Sequence, residues 1–119
     1  MSQIPKYKPN QYNLEERTEK FAKIDYIEKL PKTLANIEIS KQLIRASGSV
    51  GSNYIEANES LGKKDFAMKV KTSKKEAKES RYWLRLTKPK EEYNNEKESL
   101  VQESTELMKI FGAIIEKSK

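Results

Sequence analysis

The sequence contains no cysteine and no histidine. Disulfides, thiolate nucleophiles, Cys/His zinc sites, Ser-His-Asp triads and imidazole acid–base catalysis are therefore excluded. A di-iron site of the ferritin type also needs histidine, because its ligands include Glu-x-x-His pairs. We expect no enzymatic activity, no metal and no cofactor. A magnesium-dependent nuclease using Glu56 or Glu76 is the remaining enzymatic alternative.

Glycine and proline are scarce, with four of each in 119 residues, and apolar residues make up only 35% of the chain. Low apolar content can indicate disorder, but here the apolar residues recur at helical spacing, which favours folded helices around one core. No apolar run approaches the roughly 20 residues that span a bilayer, and residues 1–10 lack an apolar stretch of signal-peptide length. We expect a cytosolic protein.

Positive charge is concentrated in one segment. The chain has a net charge of +6, and residues 63–90 contain eleven Lys or Arg against three Asp or Glu. Residues 1–62 come to +1 and residues 91–119 to −3. Such a basic segment fits an acidic partner.

The apolar spacing predicts an all-α protein, an antiparallel up-down-up-down four-helix bundle over residues 14–119, because short connections make neighbouring helices antiparallel. Residues 1–13 carry two prolines and no apolar period, so we predict an extended N-terminal arm that Tyr7 and Tyr12 could dock. The predicted helices run from about Leu14 to Leu30, from between Thr33 and Asn36 to about Ser60, from near Asp65 to about Thr87, and from about Asn94 to Lys117.

Several residues mark the ends of these helices. Pro31 and Pro89 end the first and third, since the residue before a proline is pushed out of the helical region. Leu61-Gly62 is a natural stop, and Asp65 is a typical N-cap residue.

The second helix has a wide predicted apolar band and an unusual middle. Six of the seven residues from Ala46 to Ser52 are small, and two of them are glycines. A continuous helix with a tight crossing is favoured, because the apolar period continues through the run; a break at Gly48–Gly51 is the alternative. No strand precedes the run and no Gly-Lys-Ser/Thr follows, so a P-loop is improbable. The band comprises Ile37, Ile39, Leu43, Ile44, Val50, Tyr54, Ile55 and Ala57.

The third helix combines an apolar inward face with a basic outward stripe. Phosphate backbones match such an array of cations, and a tyrosine can stack on an unpaired base. A solvated, lysine-rich outer face is the equally weighted alternative, and Tyr82 alone is more often a packing residue. The candidate nucleic-acid-binding residues are Lys64, Lys71, Lys74, Lys75, Lys78, Arg81, Tyr82 and Arg85.

A second group of candidates forms a predicted polar seam that bridges helices or subunits. Arg45 and Glu56 lie eleven positions apart on one face of the second helix, with small polar residues between them. Trp83 lies on a flank of the third helix, where it must cover either a neighbouring helix or a neighbouring subunit. The seam comprises Arg45, Ser49, Ser52, Asn53, Glu56 and Trp83.

These motifs together resemble one known family, the four-helix bundle proteins encoded in intervening sequences of bacterial large-subunit ribosomal RNA genes. The resemblance extends over nearly the whole chain. It is carried by Gln42-Leu43-Ile44-Arg45-Ala46-Ser47, Ser49-Val50-Gly51-Ser52-Asn53, Glu56-Ala57, Lys64-Asp65-Phe66, Lys75-Glu76-Ala77-Lys78-Glu79, Tyr82-Trp83-Leu84, Arg17-Thr18 with Phe21, Leu30-Pro31, and Glu103 with Glu106-Leu107.

The resemblance implies an antiparallel four-helix bundle, usually a homopentameric ring, without known enzymatic activity. It also implies that the small-residue run lies within a helix. Related members are accessory proteins of diversity-generating retroelements, where they bind the reverse transcriptase and nucleic acid. This chain departs from the family at Ser52 and Tyr54, where alanine and another small residue are usual.

Two functions follow as hypotheses. The first is a homo-oligomeric, non-enzymatic protein that binds nucleic acid, with RNA favoured over DNA, through the basic surface of the third helix. The second is a protein-interaction scaffold or accessory subunit, for example of a retroelement reverse transcriptase. Neither hypothesis involves a membrane.

Overall fold

A computed structural model describes residues 13–119 as four α-helices without a strand. They form an antiparallel up-down-up-down four-helix bundle that measures 46 × 27 × 19 Å, as predicted. Apart from Asn13, the predicted N-terminal arm with Tyr7 and Tyr12 lies outside the described residues. The helices are α1 (Leu14–Ala22), α2 (Leu34–Asn58), α3 (Lys63–Leu86) and α4 (Asn94–Lys117), and short 3-10 helices at Asp25–Lys29 and Glu91–Tyr93 precede α2 and α4.

The first helix ends at Ala22, which corrects the predicted end at Leu30. The reason is Tyr26, which is fully buried and whose hydroxyl lies 2.6 Å from Thr87 Oγ1. On a continued helix Tyr26 would lie about 140° around the axis from Phe21, away from the core. The non-helical backbone at Lys23 and Ile24, followed by the 3-10 turn, brings both aromatic rings into the core.

The entry into α2 is fixed by caps and by a buried asparagine. Leu30 is extended before Pro31, and Thr33 caps the helix by accepting a hydrogen bond from the Asn36 N–H at 3.1 Å. The buried Asn36 side chain donates to the carbonyls of Pro31 and Lys88 and accepts from the Lys88 N–H. One side chain thus joins the loops at one end of the bundle.

The small-residue run lies inside α2 without a break, which confirms the continuous helix. Its small side chains admit close neighbours on two sides. A Cβ atom on Gly51 would lie 2.8 Å from Thr18 Oγ1 of α1. On the other side, the buried Ser73 hydroxyl of α3 donates to the Val50 carbonyl at 2.9 Å. The two glycines therefore differ in role, because nothing lies within 4 Å of a Cβ built on Gly48.

This difference predicts opposite effects for the same substitution. Gly48→Ala should raise the free energy of unfolding by about 1 kcal/mol, the helix-propensity gain of alanine over glycine. Gly51→Ala should lower it by about 1–2 kcal/mol, because overpacking against Thr18 outweighs that gain. Urea unfolding measures both values. Adding Thr18→Ala to Gly51→Ala should recover stability; equal stability of the two single variants would contradict the account.

The apolar band predicted for α2 is divided between two surfaces. Leu43, Val50 and Ala57 are buried in the core, whereas Ile37, Ile44 and Ile55 are 41%, 59% and 50% exposed. The prediction of a single wide apolar band is therefore wrong. These three isoleucines lie on the solvent side of α2, together with Leu34. We call Leu34, Ile37, Ile44 and Ile55 the outer α2 face. Their spacings of 3, 7 and 11 positions place them at a and d positions of one heptad register, as in a second packing seam.

The last two helices match their predicted spans, with one corrected cap. Gly62 is the N-cap of α3. Asp65 lies in the first turn, where its carboxylate interacts favourably with the helix dipole. The inward face of α3 is confirmed, and α4 runs over its predicted bounds. The core comprises Leu14, Phe21, Tyr26, Leu30, Leu43, Val50, Ala57, Val70, Ala77, Leu84, Leu107, Phe111, Ile114 and Ile115.

Candidate nucleic-acid interface

The outward side of α3 carries the predicted basic stripe. Apart from Lys74 and Arg81, which flank the stripe, its members follow one another at intervals of three, four or seven positions, so they lie along one line of the helix. From Lys71 to Arg85 this line is about 21 Å long. Tyr82 lies between Lys78 and Arg85 and is 57% exposed. We call these exposed residues the α3 row: Lys64, Lys71, Lys74, Lys75, Lys78, Tyr82 and Arg85.

The six cations of the α3 row form no ion pair with any residue of the described part of the chain. The acidic residues of the same helix are engaged elsewhere. Asp65 lies 3.9 Å from Lys69, and Glu76 and Glu79 both face Arg45 of α2. The charge of the row is therefore left to the solvent or to a ligand.

An open groove of about 690 Å³ runs between the row and α4. Lys71, Lys74, Lys75 and Lys78 form its α3 wall. The α4 wall combines the apolar side chains of Met108 and Ile115 with Glu116, whose carboxylate is 3.0 Å from Lys119 Nζ. Gly112 leaves room for the Lys74 ammonium, which would lie 3.3 Å from a Cβ atom there. An open, cation-lined groove with an apolar side results.

Arg81 differs from the other predicted binding residues. It is only partly exposed, and its Nη1 donates to Thr105 Oγ1 of α4 at 3.1 Å. The structure therefore brings Lys64, Lys71, Lys74, Lys75, Lys78 and Arg85 together on one surface and places Arg81 at the contact between α3 and α4. Residues such as Gly112 and Thr105 were not predicted, because helical periodicity does not show which residues of two helices meet.

Tyr82 is supported from one side by a cross-helix arrangement. Its ring meets the Trp83 ring edge-on, with centroids 5.0 Å apart. The Trp83 Nε1–H donates to Glu79 at 3.0 Å, and Arg45 of α2 pairs with both Glu79 and Glu76. The indole N–H, together with Arg45, holds the pKa of Glu79 below its ordinary value of 4.5.

This arrangement predicts an acid transition that tryptophan fluorescence can follow. Because the pKa of Glu79 is lowered in the folded protein, its bond to Trp83 is present at neutral pH and is lost as the pH falls through the lowered value. The Trp83 emission should change with a midpoint below 4.5, and Glu79→Gln should abolish the change. Far-UV circular dichroism at each pH separates this step from unfolding. A midpoint above 4.5 would contradict it.

Only part of the predicted polar seam joins side chains to one another within residues 13–119. Arg45 and Trp83 do join side chains, Arg45 across two helices. Ser49, Ser52 and Asn53 instead donate to backbone carbonyls of their own helix, and Glu56 is exposed. Trp83 packs on the core from its flank, as the reading within one chain predicts. A contact of these residues with another subunit stays a prediction.

A polar contact between α1 and α4 was not predicted from the spacing of residues. Arg17 donates to Glu103 through Nε at 3.0 Å and through Nη2 at 2.6 Å, and also to Glu106 at 3.2 Å. Gln102 and Arg17 lower the pKa of Glu106. These residues entered the sequence analysis only through the resemblance, since charges 86 positions apart give no local signal.

Within residues 13–119 no group of three Asp or Glu side chains is arranged to hold a metal ion. Residues 13–119 contain no helix with the length and hydrophobicity of a transmembrane segment.

Comparison with known proteins identifies the family of this chain. The model of the 23S rRNA-intervening sequence protein family matches residues 13–113. A crystal structure of a protein of unknown function from the S23 ribosomal protein family of Bacteroides thetaiotaomicron VPI-5482 is 26% identical, with a TM-score of 0.70. The match covers 86% of this chain and 97% of that one. Neither description names an enzyme, and no curated protein matches the chain. Since the family model spans most of the sequence, the chain belongs to the 23S rRNA-intervening sequence protein family.

Proposed function

We propose that this protein is a non-enzymatic, homo-oligomeric, nucleic-acid-binding bundle that uses the α3 row to contact RNA. The observation that carries the proposal is the row itself. Six exposed cations lie along one helix without an ion pair to any other described residue, and four of them line one groove. Each phosphate that such a cation neutralises releases condensed counterions, which drives binding.

The chemistry of the row favours contacts with the backbone of the nucleic acid. Lysine ammonium groups are compact point charges that match phosphate, and no exposed Asn or Gln lies within the row to read base edges. Contacts with phosphates fix position without reading sequence. We therefore propose binding with little base specificity. RNA is favoured over DNA because the family takes its name from 23S rRNA intervening sequences.

The outer α2 face supports the homo-oligomeric part of the proposal. Four large apolar side chains are exposed along one helix, with Leu34 79% and Ile44 59% accessible. Several large apolar side chains exposed on one face of a helix are typical of a protein interface. We propose that other copies of this chain cover it, with five subunits as the resemblance implies. Each subunit would then present one α3 row, so that weak phosphate contacts gain from multivalency.

The direct test is a titration of a fluorescent, structured RNA with the protein at two salt concentrations. An uncharged polymer of the same length is the control. RNA affinity should fall steeply as the salt concentration rises, and the uncharged polymer should not bind. Equal affinity for the two polymers would contradict the proposal.

A second candidate function is favoured by the same outer α2 face. If the chain is monomeric in solution, the face remains open for a different protein, and the role is that of a scaffold or accessory subunit, for example of a reverse transcriptase. In that case the α3 row would meet an acidic protein surface. A reverse-transcriptase gene beside the coding sequence would favour this candidate.

A further inference from the structure

We propose that the α3 row takes an unpaired stretch of nucleic acid and that one base of this stretch stacks on Tyr82. The inference rests on the proposed nucleic-acid binding and specifies the form of the ligand. Three observations carry it: the support of the Tyr82 ring, its position among the cations, and the shape of the adjoining groove.

The Tyr82 ring is positioned without being buried. Its contact with Trp83 is edge-on, with an interplanar angle of 71°, and the residue is 57% exposed. Trp83 is itself fixed by its bond to Glu79, which Arg45 holds from α2. A ring that is oriented before the ligand arrives loses little conformational freedom when a base stacks on it. Two helices thus keep the ring on the surface.

The cations of the row lie where the phosphates of a stacked nucleotide would need them. Lys78 precedes Tyr82 by four positions and Arg85 follows it by three, so each lies about one helical turn away. A base on Tyr82 therefore has a cation on either side for its flanking phosphates. Bases inside a duplex are stacked on each other and present no free face, so only an unpaired base can use the ring.

The groove between α3 and α4 suits one strand better than a duplex. Its α3 wall supplies four lysines within about two helical turns, and its α4 wall supplies the apolar Met108 and Ile115. An extended strand can turn its phosphates toward the lysines and its bases toward the apolar wall. A duplex presents phosphates on its outside and has no base surface for that wall. The two walls together favour unpaired nucleic acid.

The experiment compares one RNA strand of roughly 12 nucleotides with the corresponding duplex, at one salt concentration. Tyr82→Ala should weaken single-strand binding by at least about five-fold, the lower end of the effect of losing one stacked base, and should change duplex binding less than two-fold. Tyr82→Phe should keep the wild-type affinity. Leu61→Ala is the control, since Leu61 is a fully exposed apolar residue outside α3.

The fluorescence of Trp83, the one tryptophan of the chain, gives a second readout. Single-stranded RNA should quench it in the wild type and in Tyr82→Phe, because the base stacks on the ring that contacts the indole. If neither RNA binds, the proposed function fails together with this inference. If both bind and Tyr82→Ala binds the single strand as tightly as the wild type, the inference alone is wrong. A lower mass of Tyr82→Ala in solution would also overturn it, by making Tyr82 a subunit contact.

Discussion

Reversing the charge of Lys71, Lys75 and Lys78 to glutamate is expected to weaken RNA binding at least about 100-fold at low salt. Three phosphate contacts are lost at once, and three carboxylates take their place beside the polyanion. All three lysines are exposed and form no ion pair within residues 13–119, so the fold should be unaffected. Fluorescence anisotropy with a labelled structured RNA measures the change.

A matched variant separates the position of the charges from their number. Lys20, Lys32 and Lys109 are also exposed, but they lie on α1, in the loop before α2 and on the outside of α4. Reversing these three changes the net charge by the same amount. Binding should weaken only slightly, through the long-range field. Equal losses of RNA affinity in the two triple variants would show that binding depends on the net charge and not on the α3 row.

Placing glutamates on the outer α2 face is expected to convert the proposed oligomer into monomers. Ile44 and Ile55 are each about half exposed in the isolated chain, at 59% and 50%, so Ile44→Glu/Ile55→Glu should still fold. Burial of one such side chain contributes about 1.5–3 kcal/mol, and a buried, unpaired carboxylate is unfavourable. The two changes should weaken association more than about 100-fold. Light scattering after size exclusion measures the mass.

The control for this variant is a pair of exposed apolar residues outside the face. Leu61 is fully exposed between α2 and α3, and Met68 is 58% exposed on α3. Leu61→Glu/Met68→Glu should keep the wild-type mass. A wild-type protein that is monomeric at roughly 10 μM, a concentration at which a specific oligomer persists, would contradict the homo-oligomer and favour the scaffold.

The helices could be predicted wherever local signals decide the structure. The C-terminal end of α3 follows from Pro89, and the span of α4 follows from an apolar stripe of period 3.6. The continuity of α2 through Gly48 and Gly51 follows from the same period, although two glycines disfavour a helix. There the packing against Thr18 and Ser73 outweighs the propensity.

The structure differs from the prediction where contacts between residues far apart in the sequence determine it. The end of α1 depends on the bond of Tyr26 to Thr87, 61 positions away. The split of the α2 band depends on which side α1 and α3 cover. The sequence shows that Ile44 and Val50 are apolar but not which of them faces solvent in one chain.

In the candidate site, too, the features of a single helix could be predicted, and the contacts between helices could not. The α3 row is a property of one helix, so spacing alone placed its lysines and Tyr82 on one side. The roles of Arg81, Gly112 and Trp83 depend on contacts between side chains and on the register of α3 against α4, which periodicity does not contain.

Phosphate binding by the α3 row is decided by the salt dependence of RNA affinity. The logarithm of the binding constant is measured against the logarithm of the salt concentration for the wild type and for Lys71→Glu/Lys75→Glu/Lys78→Glu. Loss of three phosphate contacts should make the slope shallower by about 2–3. The same slope in both proteins, or no salt dependence in the wild type, would contradict the claim.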